Sequence, residues 1–386
     1  FSNDVVATPR WLENLIKCIE SDEKIFWVVP TCNEDGISNN QGVKIDYENS
    51  LNSIDKIYEF GDKYNFSNRL LWEERNILMP FIWLGRSRIF DYFDLVDKSY
   101  LQHEFVDDDL STSLRRLGLK QILAKDTFMH HFGSVTLRDE RKNGSLENMR
   151  EVYYKKWGVD AWDSRGEVEG FEELLKYDIY DNPKILFIEP KFGANTLNIK
   201  KMLRDKGIKV SKMVAAIFDK RYLPDARYMY DQIIAVNSTE ELIEDKEKYS
   251  LISFGTYINE IEKEDIIKFL ESLYHKLENK GQIIFTIKNF RNAKIIFDLL
   301  TNNSLEVCGY EKIDFHGCNF DRLFERLSQN ELLSSFEVHA IYNNTKEVDL
   351  ILSLDDSINK MTASAIELLR NEIGTKYYTF VINKNG

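Results

Sequence analysis

Five short apolar runs between residues 184 and 287 constrain the fold more than any other feature. They are Lys184-Ile-Leu-Phe-Ile188, Val210 to Phe218, Gln232 to Val236, Leu251 to Gly255 and Gly281-Gln-Ile-Ile-Phe-Thr-Ile287. Helical patterns at Thr196 to Lys206 and Ile266 to Leu277 lie between them. Apolar runs of strand length that alternate with helices imply parallel pairing with crossover connections, and such a sheet must be covered on both faces. Residues 183–345 are therefore expected to form a doubly wound parallel-sheet domain.

Residues 1–137 also alternate. Thr8 and Pro9 fit the N-cap and first position of a helix whose apolar stripe is Trp11, Leu12, Leu15, Ile16 and Ile19. Lys24 to Val29, Leu78 to Leu84 and Lys120 to Asp126 read as buried strands, with Gly85 ending the second. Asn33 to Gln41 reads as a polar loop, and Arg88 to Phe93 as the start of a short helix. Residues 138–182 read as a linker with one or two helices, its Trp157 and Trp162 packed on a neighbouring domain. At the end, Val348 to Leu354, Ala363 to Glu372 and Tyr377 to Ile382 suggest a βαβ unit over residues 346–386. A lone βαβ unit cannot bury both faces of its sheet, so it must pack on something else.

Composition removes several classes of function. The chain has 386 residues, 43% hydrophobic and 30% charged, which suits a globular protein of two or more domains. Lys+Arg 51 against Asp+Glu 64 gives a net charge of −13. An acidic surface argues against nucleic acid or anionic membrane as partner. No apolar run approaches the roughly 20 residues of a transmembrane segment, and no signal peptide opens the chain. Cys18, Cys32, Cys308 and Cys318 lack metal-site spacing and read as free thiols of a cytoplasmic protein.

Two clusters could carry chemistry. Asp107, Asp108 and Asp109 open an amphipathic helix, and His130 and His131 follow in Phe128-Met-His-His-Phe-Gly-Ser134. Carboxylate and imidazole serve divalent metals and proton transfer. Taken singly, acids at a helix start are common caps and dipole partners, and paired histidines are often structural. With Ser2-Asn3-Asp4 and the helix after it, however, the order and flanking residues resemble the second half of a family 2 glycosyltransferase of the GT-A type. The resemblance covers about residues 1–137 and implies that the chain begins partway through that domain. It also implies a sugar transfer, inverting, from a nucleotide-diphosphate sugar donor to a glycan or protein acceptor. The implied cofactor is a divalent metal (Mn or Mg) held by Asp4 with His130 or His131. Asp107 becomes the general base, supported by Asp109, while Trp72, Trp83 and Asp108 would face the acceptor. Ser2 and Val106 stand where the family has acids.

Residues 183 to about 300 resemble a class I methyltransferase domain. Its cofactor loop is Glu189-Pro-Lys-Phe-Gly-Ala-Asn-Thr196, in which only Gly193 keeps the family's glycine pattern. The resemblance places Glu189, Gly193 and Asp219 at the cofactor. With Glu189 and Pro190 in place of a flexible glycine turn, and Glu189 repelling the cofactor's carboxylate, weak or absent S-adenosylmethionine (SAM) binding is expected. The closing segment resembles the start of another GT-A domain. The fold expected is thus α/β: a partial GT-A domain, a methyltransferase-like domain and a C-terminal βαβ unit. Sugar transfer is the first expectation. A SAM-dependent methyltransferase acting on a glycan or protein, or a non-catalytic scaffold, is the alternative.

Overall fold

The computed structural model describes residues 2–34, 41–88, 97–100, 104–133, 145–168, 170–244, 246–255, 266–302, 320–342, 346–353 and 361–385. The expected helix at 88–93, the interior of the 33–41 loop, Cys308 and Cys318 fall largely outside these residues. Two compact units result. One comprises Phe1–Gly166, Lys191–Lys201 and Asp219–Tyr230, and the other Glu167–Pro190, Met202–Phe218 and Asp231–Gly386. Among the described residues no helix is long and apolar enough to cross a membrane.

The first unit is built around a strand whose nine residues are all buried. After β1 (Val5–Val6) and the helix Trp11–Glu20 comes this strand, β2 (Ile25–Asn33), followed by β3 (Gly42–Val43), β4 (Trp72–Glu74), β5 (Leu84–Gly85), β6 (Lys120–Phe128) and β7 (His130–His131). β2 pairs in parallel with β6, Val28 facing Ile122, and with β3, Cys32 facing Gly42. β4 runs antiparallel to β6, β5 to β2, and β1 to β7. One apolar cluster joins Phe26, Trp27, Val29, Leu78, Phe81, Leu110, Leu114 and Leu123. A second joins Leu15, Cys18, Ile19, Ile25, Val28 and Ile122. The apolar stripe of the first helix supplies Leu15 and Ile19, whereas Leu12 and Ile16 remain exposed.

Two local expectations are corrected here. Thr8 does not cap the first helix. Its hydroxyl donates to the Phe128 carbonyl, and Arg10, with φ 61°, is the residue before the helix. Leu78 to Leu84 is apolar and Leu78, Phe81 and Ile82 are buried, but only Leu84–Gly85 is strand. Pro80 has no amide proton to give to a ladder, and proline inside a run argues against a central strand.

Among the described residues, the second unit holds one seven-stranded sheet. Its strands are β8 (Lys184–Ile188), β9 (Lys212–Ile217), β10 (Gln232–Ala235), β11 (Tyr249–Ser253), β12 (Leu277–Lys288), β13 (Phe336–Tyr342) and β14 (Thr375–Asn383). Their order across the sheet is β10-β9-β8-β11-β12-β14-β13. The first five run parallel, as the alternation of strands and helices requires. β14 enters antiparallel between β12 and β13, with Phe285 facing Phe380 on one side and Val338 facing Phe380 on the other.

The C-terminal segment is therefore not a βαβ unit. Lys346–Ser353 is a helix, Ala363–Gly374 is a second helix, and β14 belongs to the sheet of the preceding domain. The run Val348 to Leu354 is short, and periodicity alone does not separate a buried strand from a helix at that length. β14 does not stand alone, because it pairs with β12 on one edge and β13 on the other. Phe380 is fully buried and stacks on Phe285 with ring centroids 5.1 Å apart and planes within 2°. Phe380→Ala should lower unfolding free energy by about 3–5 kcal/mol, the usual cost of emptying a buried aromatic site. A urea titration of the full chain measures this, and a loss under about 1 kcal/mol would show that β14 does not hold the sheet.

Candidate functional site

In the first unit, the three acids at the start of the helix Val106–Arg116 have separate surroundings. Phe105, at φ 64°, turns the chain into this helix, and no side chain caps it. Asp107 is half-buried. Asp108 is buried, with Arg165 Nη2 3.2 Å from its Oδ1. Burial pushes the Asp108 carboxyl up to about 7; the charge of Asp107 adds to this and Arg165 opposes it. Asp109 has partners from two segments of the chain. Its Oδ1 accepts from Trp157 Nε1 at 2.7 Å and Tyr100 Oη at 3.1 Å, and Lys156 Nζ lies 3.0 Å from Oδ2. Trp157 comes from the helix Ser145–Trp157, and Trp162 stacks on Phe105 at 5.3 Å, so both tryptophans of the expected linker pack within this unit.

The histidines also separate. His131 Nε2 lies 3.2 Å from Asp4 Oδ2, and its backbone N–H donates to Asn33 Oδ1. His130 is fully buried between Tyr47 Oη, 3.1 Å from Nδ1, and Asn49 Oδ1, 3.0 Å from Nε2. Burial, with a smaller contribution from His131, lowers its pKa to about 4. The ring is neutral at physiological pH. The two tryptophans expected at an acceptor have partners within the unit. Trp72 is buried and donates through Nε1 to Asp126 Oδ2 at 2.8 Å. Trp83 packs on Trp27, with ring centroids 5.2 Å apart.

One element of this unit was not singled out from sequence. Arg115 is buried, donating through Nε to Asp225 Oδ1 at 2.7 Å, through Nη1 to the Asn76 carbonyl and through Nη2 to Thr112 Oγ1. Its guanidinium lies 3.8 Å over the Phe192 ring. The five donors in a fixed plane make this possible. Position 115 carries no sequence signal beyond a basic residue at a helix end, which is ordinary dipole chemistry.

Of the three residues assigned to a methyl-donor cofactor, Glu189 belongs to the second unit and Gly193 and Asp219 to the first. Gly193 has φ 78°, and a Cβ there would lie 2.5 Å from Met229 Sδ, so glycine is required on both counts. Asp219 accepts from the Arg221 N–H and its Nε–H, capping the short turn Lys220–Tyr222. Glu189 lies just past the end of β8, 6% exposed, with φ 44°. Its N–H donates to the Ala216 carbonyl at 2.8 Å, and its Oε2 accepts from Phe218 N–H at 2.7 Å. On the other side of β8, β11 ends at Ser253, 3% exposed, followed by Phe254 and Gly255. Phe254 N–H donates to the Ile284 carbonyl, and the Gly255 carbonyl accepts from Thr286 at 2.7 Å.

The second unit thus carries a mostly parallel, methyltransferase-like sheet. No family model and no curated protein matches the chain. Several solved structures are similar in fold. A plantazolicin methyltransferase, BpumL, in complex with SAH is 15% identical; 65% of this chain and 92% of that chain are covered, with a TM-score of 0.37. For a SAM dependent methyltransferase from Archaeoglobus fulgidus the values are 13%, 61% and 99%, and 0.36. For Haemonchus contortus phosphoethanolamine N-methyltransferase 2, in complex with phosphomonomethylethanolamine and S-adenosylhomocysteine, they are 12%, 67% and 62%, and 0.37. At these identities and scores the likeness is one of fold alone.

Three expectations are corrected. The structures named are methyltransferases with no glycosyltransferase among them, which sets aside sugar transfer and the nucleotide-diphosphate sugar donor. Among the described residues no group of three or more His, Cys, Asp or Glu side chains could hold a metal ion. Asp4 with His131 is a pair only, and the His130 ring nitrogens are directed at Tyr47 and Asn49. Weak or absent SAM binding is also withdrawn. Two of the similar structures contain S-adenosylhomocysteine. In this chain the Glu189 carboxylate, expected to repel the cofactor, is bonded to a backbone amide.

The two shifted groups of the first unit have opposite effects on stability. His130 titrates at about 4 when folded against 6.5 when free, so the unfolded chain binds more protons in that window and stability falls as pH drops through it. Asp108 titrates at about 7 when folded against 3.8, so the folded chain binds more protons and stability falls as pH rises through that window. Between about pH 4 and pH 7, unfolding free energy should therefore climb more steeply with pH in Asp108→Asn than in the wild type, and less steeply in His130→Gln. Urea midpoints across this range measure both slopes, and parallel curves for all three proteins would contradict these assignments.

Proposed function

We propose that the second unit binds SAM at the carboxyl ends of β8 and β11 and that the protein is a SAM-dependent methyltransferase. The observation that supports this is the strand order. The chain runs outward from β8 through β9 to β10, then returns to the other side of β8 with β11. In an open α/β sheet a crevice lies outside the strand ends at such a reversal, and ligands bind there.

The residues present fit a cofactor of this type. Glu189 ends β8 with its carboxylate held by the Phe218 amide. Ser253 brings a hydroxyl to the end of β11, and Gly255, at φ 33°, leaves backbone without a side chain just beyond it. The bonds of Phe254 and Gly255 to β12 fix that backbone before any ligand arrives. Such preorganisation reduces the ordering cost of binding. When bound, the cofactor supplies an electrophilic methyl group. The chain itself has to hold the cofactor at these strand ends, exclude water and orient an acceptor nucleophile toward it.

Titration calorimetry of the full chain with SAM and S-adenosylhomocysteine tests this. Saturable binding at a dissociation constant below about 100 μM, or about −5.5 kcal/mol, is expected. Absence of binding by both ligands up to about 1 mM would remove the methyltransferase assignment.

A further inference from the structure

Glu189 occupies an unusual place in the backbone ladder between β8 and β9. Ile188 faces Ala216 in the parallel register, and Glu189 N–H donates to the Ala216 carbonyl at 2.8 Å. In a continuing parallel ladder, a residue that donates to one carbonyl accepts, through its own carbonyl, from the amide two residues further along the neighbour. That amide is Phe218 N–H. At Glu189 the chain has left the strand, with φ 44°, a conformation that non-glycine residues adopt at a cost. Phe218 N–H instead donates to the Glu189 side chain, Oε2, at 2.7 Å. The carboxylate thus stands in for a ladder carbonyl at the point where β8 turns out of the sheet.

We infer that Glu189 is a positioning residue that holds the ends of β8 and β9 together through the Phe218 amide, and so fixes the wall of the cofactor crevice. This rests on the SAM assignment above. The bond needs an acceptor oxygen at the reach of a glutamate. It does not need the negative charge, because the donor is a neutral amide, although a charged acceptor is the stronger one. Glutamine keeps the oxygen and the reach. Aspartate keeps the charge but is one methylene shorter. Alanine removes the acceptor and leaves a buried N–H to find another partner.

The test compares Glu189→Gln, Glu189→Asp and Glu189→Ala in the full chain. Two readouts are used: S-adenosylhomocysteine affinity by calorimetry and exchange of the Phe218 amide proton by mass spectrometry or NMR. The glutamine variant is expected to bind within about threefold of the wild type and to protect the Phe218 amide. The alanine and aspartate variants are expected to bind about tenfold or more weakly, with faster exchange, in keeping with loss of a hydrogen bond to a charged group. If glutamine loses as much affinity as alanine, the charge acts on the ligand directly and the positioning role is wrong. Wild-type affinity in the alanine variant would also overturn it. Should the wild type bind neither SAM nor S-adenosylhomocysteine, the methyltransferase assignment fails separately. The exchange rates then decide the bond on their own: equal Phe218 exchange in the glutamine and alanine variants refutes it.

Discussion

Every backbone group of a buried strand needs a partner, and β14 is where the second unit satisfies that need. β12 and β13 do not pair with each other. Each is bonded to β14, which runs antiparallel to both. Removing β14 would leave β12 with unpaired amides along its apolar length, Ile283 to Ile287. The side chains follow the ladder. Phe254, just past β11, stacks on Phe285 of β12, which stacks on Phe380 of β14, and Phe336 on β13 lies 6.0 Å from Phe380. One row of aromatic rings therefore runs from Phe254, just past the end of β11, over β12 and β14 to β13, joining the parallel part to the antiparallel edge through dispersion and burial.

The first unit depends on a different kind of interaction. Arg115 and Asp225 are almost wholly buried, and Arg116 adds a second guanidinium at 3.1 Å from Asp225. A buried ion pair is expensive to desolvate, and it is tolerated when remaining donors are satisfied. Here the other Arg115 donors reach Asn76 and Thr112. Residues 191–201 and 219–230 are far along the chain from the helix Val106–Arg116, and Asp225 and Phe192 each engage Arg115 directly. Two members of the acidic cluster beside it have partners within the unit. Asp109 serves Trp157, Tyr100 and Lys156, and Asp108 serves Arg165.

What the sequence discloses follows from locality. Lys184–Ile188 is found where five consecutive apolar or stem-buried residues place it, and the helix Val106–Arg116 where three acids and a 3.6 period place it. The β13 strand, Phe-Glu-Val-His-Ala-Ile-Tyr, alternates as an edge strand should, and this signal passes unnoticed when the region is assigned only as the end of a domain. Val348 to Leu354 is ambiguous by length, so its helix had to come from tertiary packing of Val348 and Leu352 on Ala293. The position of β14 has no local signature at all. Phe380, Val381 and Ile382 are all buried, which marks a strand covered on both faces without naming its neighbours. Acid and imidazole residues were legible as unusual. Their partners were not, because a carboxylate that binds a ligand and one that accepts from a tryptophan are the same letter.

The position of β14 also bears on how the protein is made. β14 follows every other strand of its sheet in the chain, yet it lies between β12 and β13. During synthesis, β12 emerges nearly a hundred residues before the strand that will cover its edge. An exposed strand edge in that interval is a template for pairing with another nascent chain. Folding of the second unit must then close a long loop late, which slows it relative to a sheet whose neighbours are consecutive.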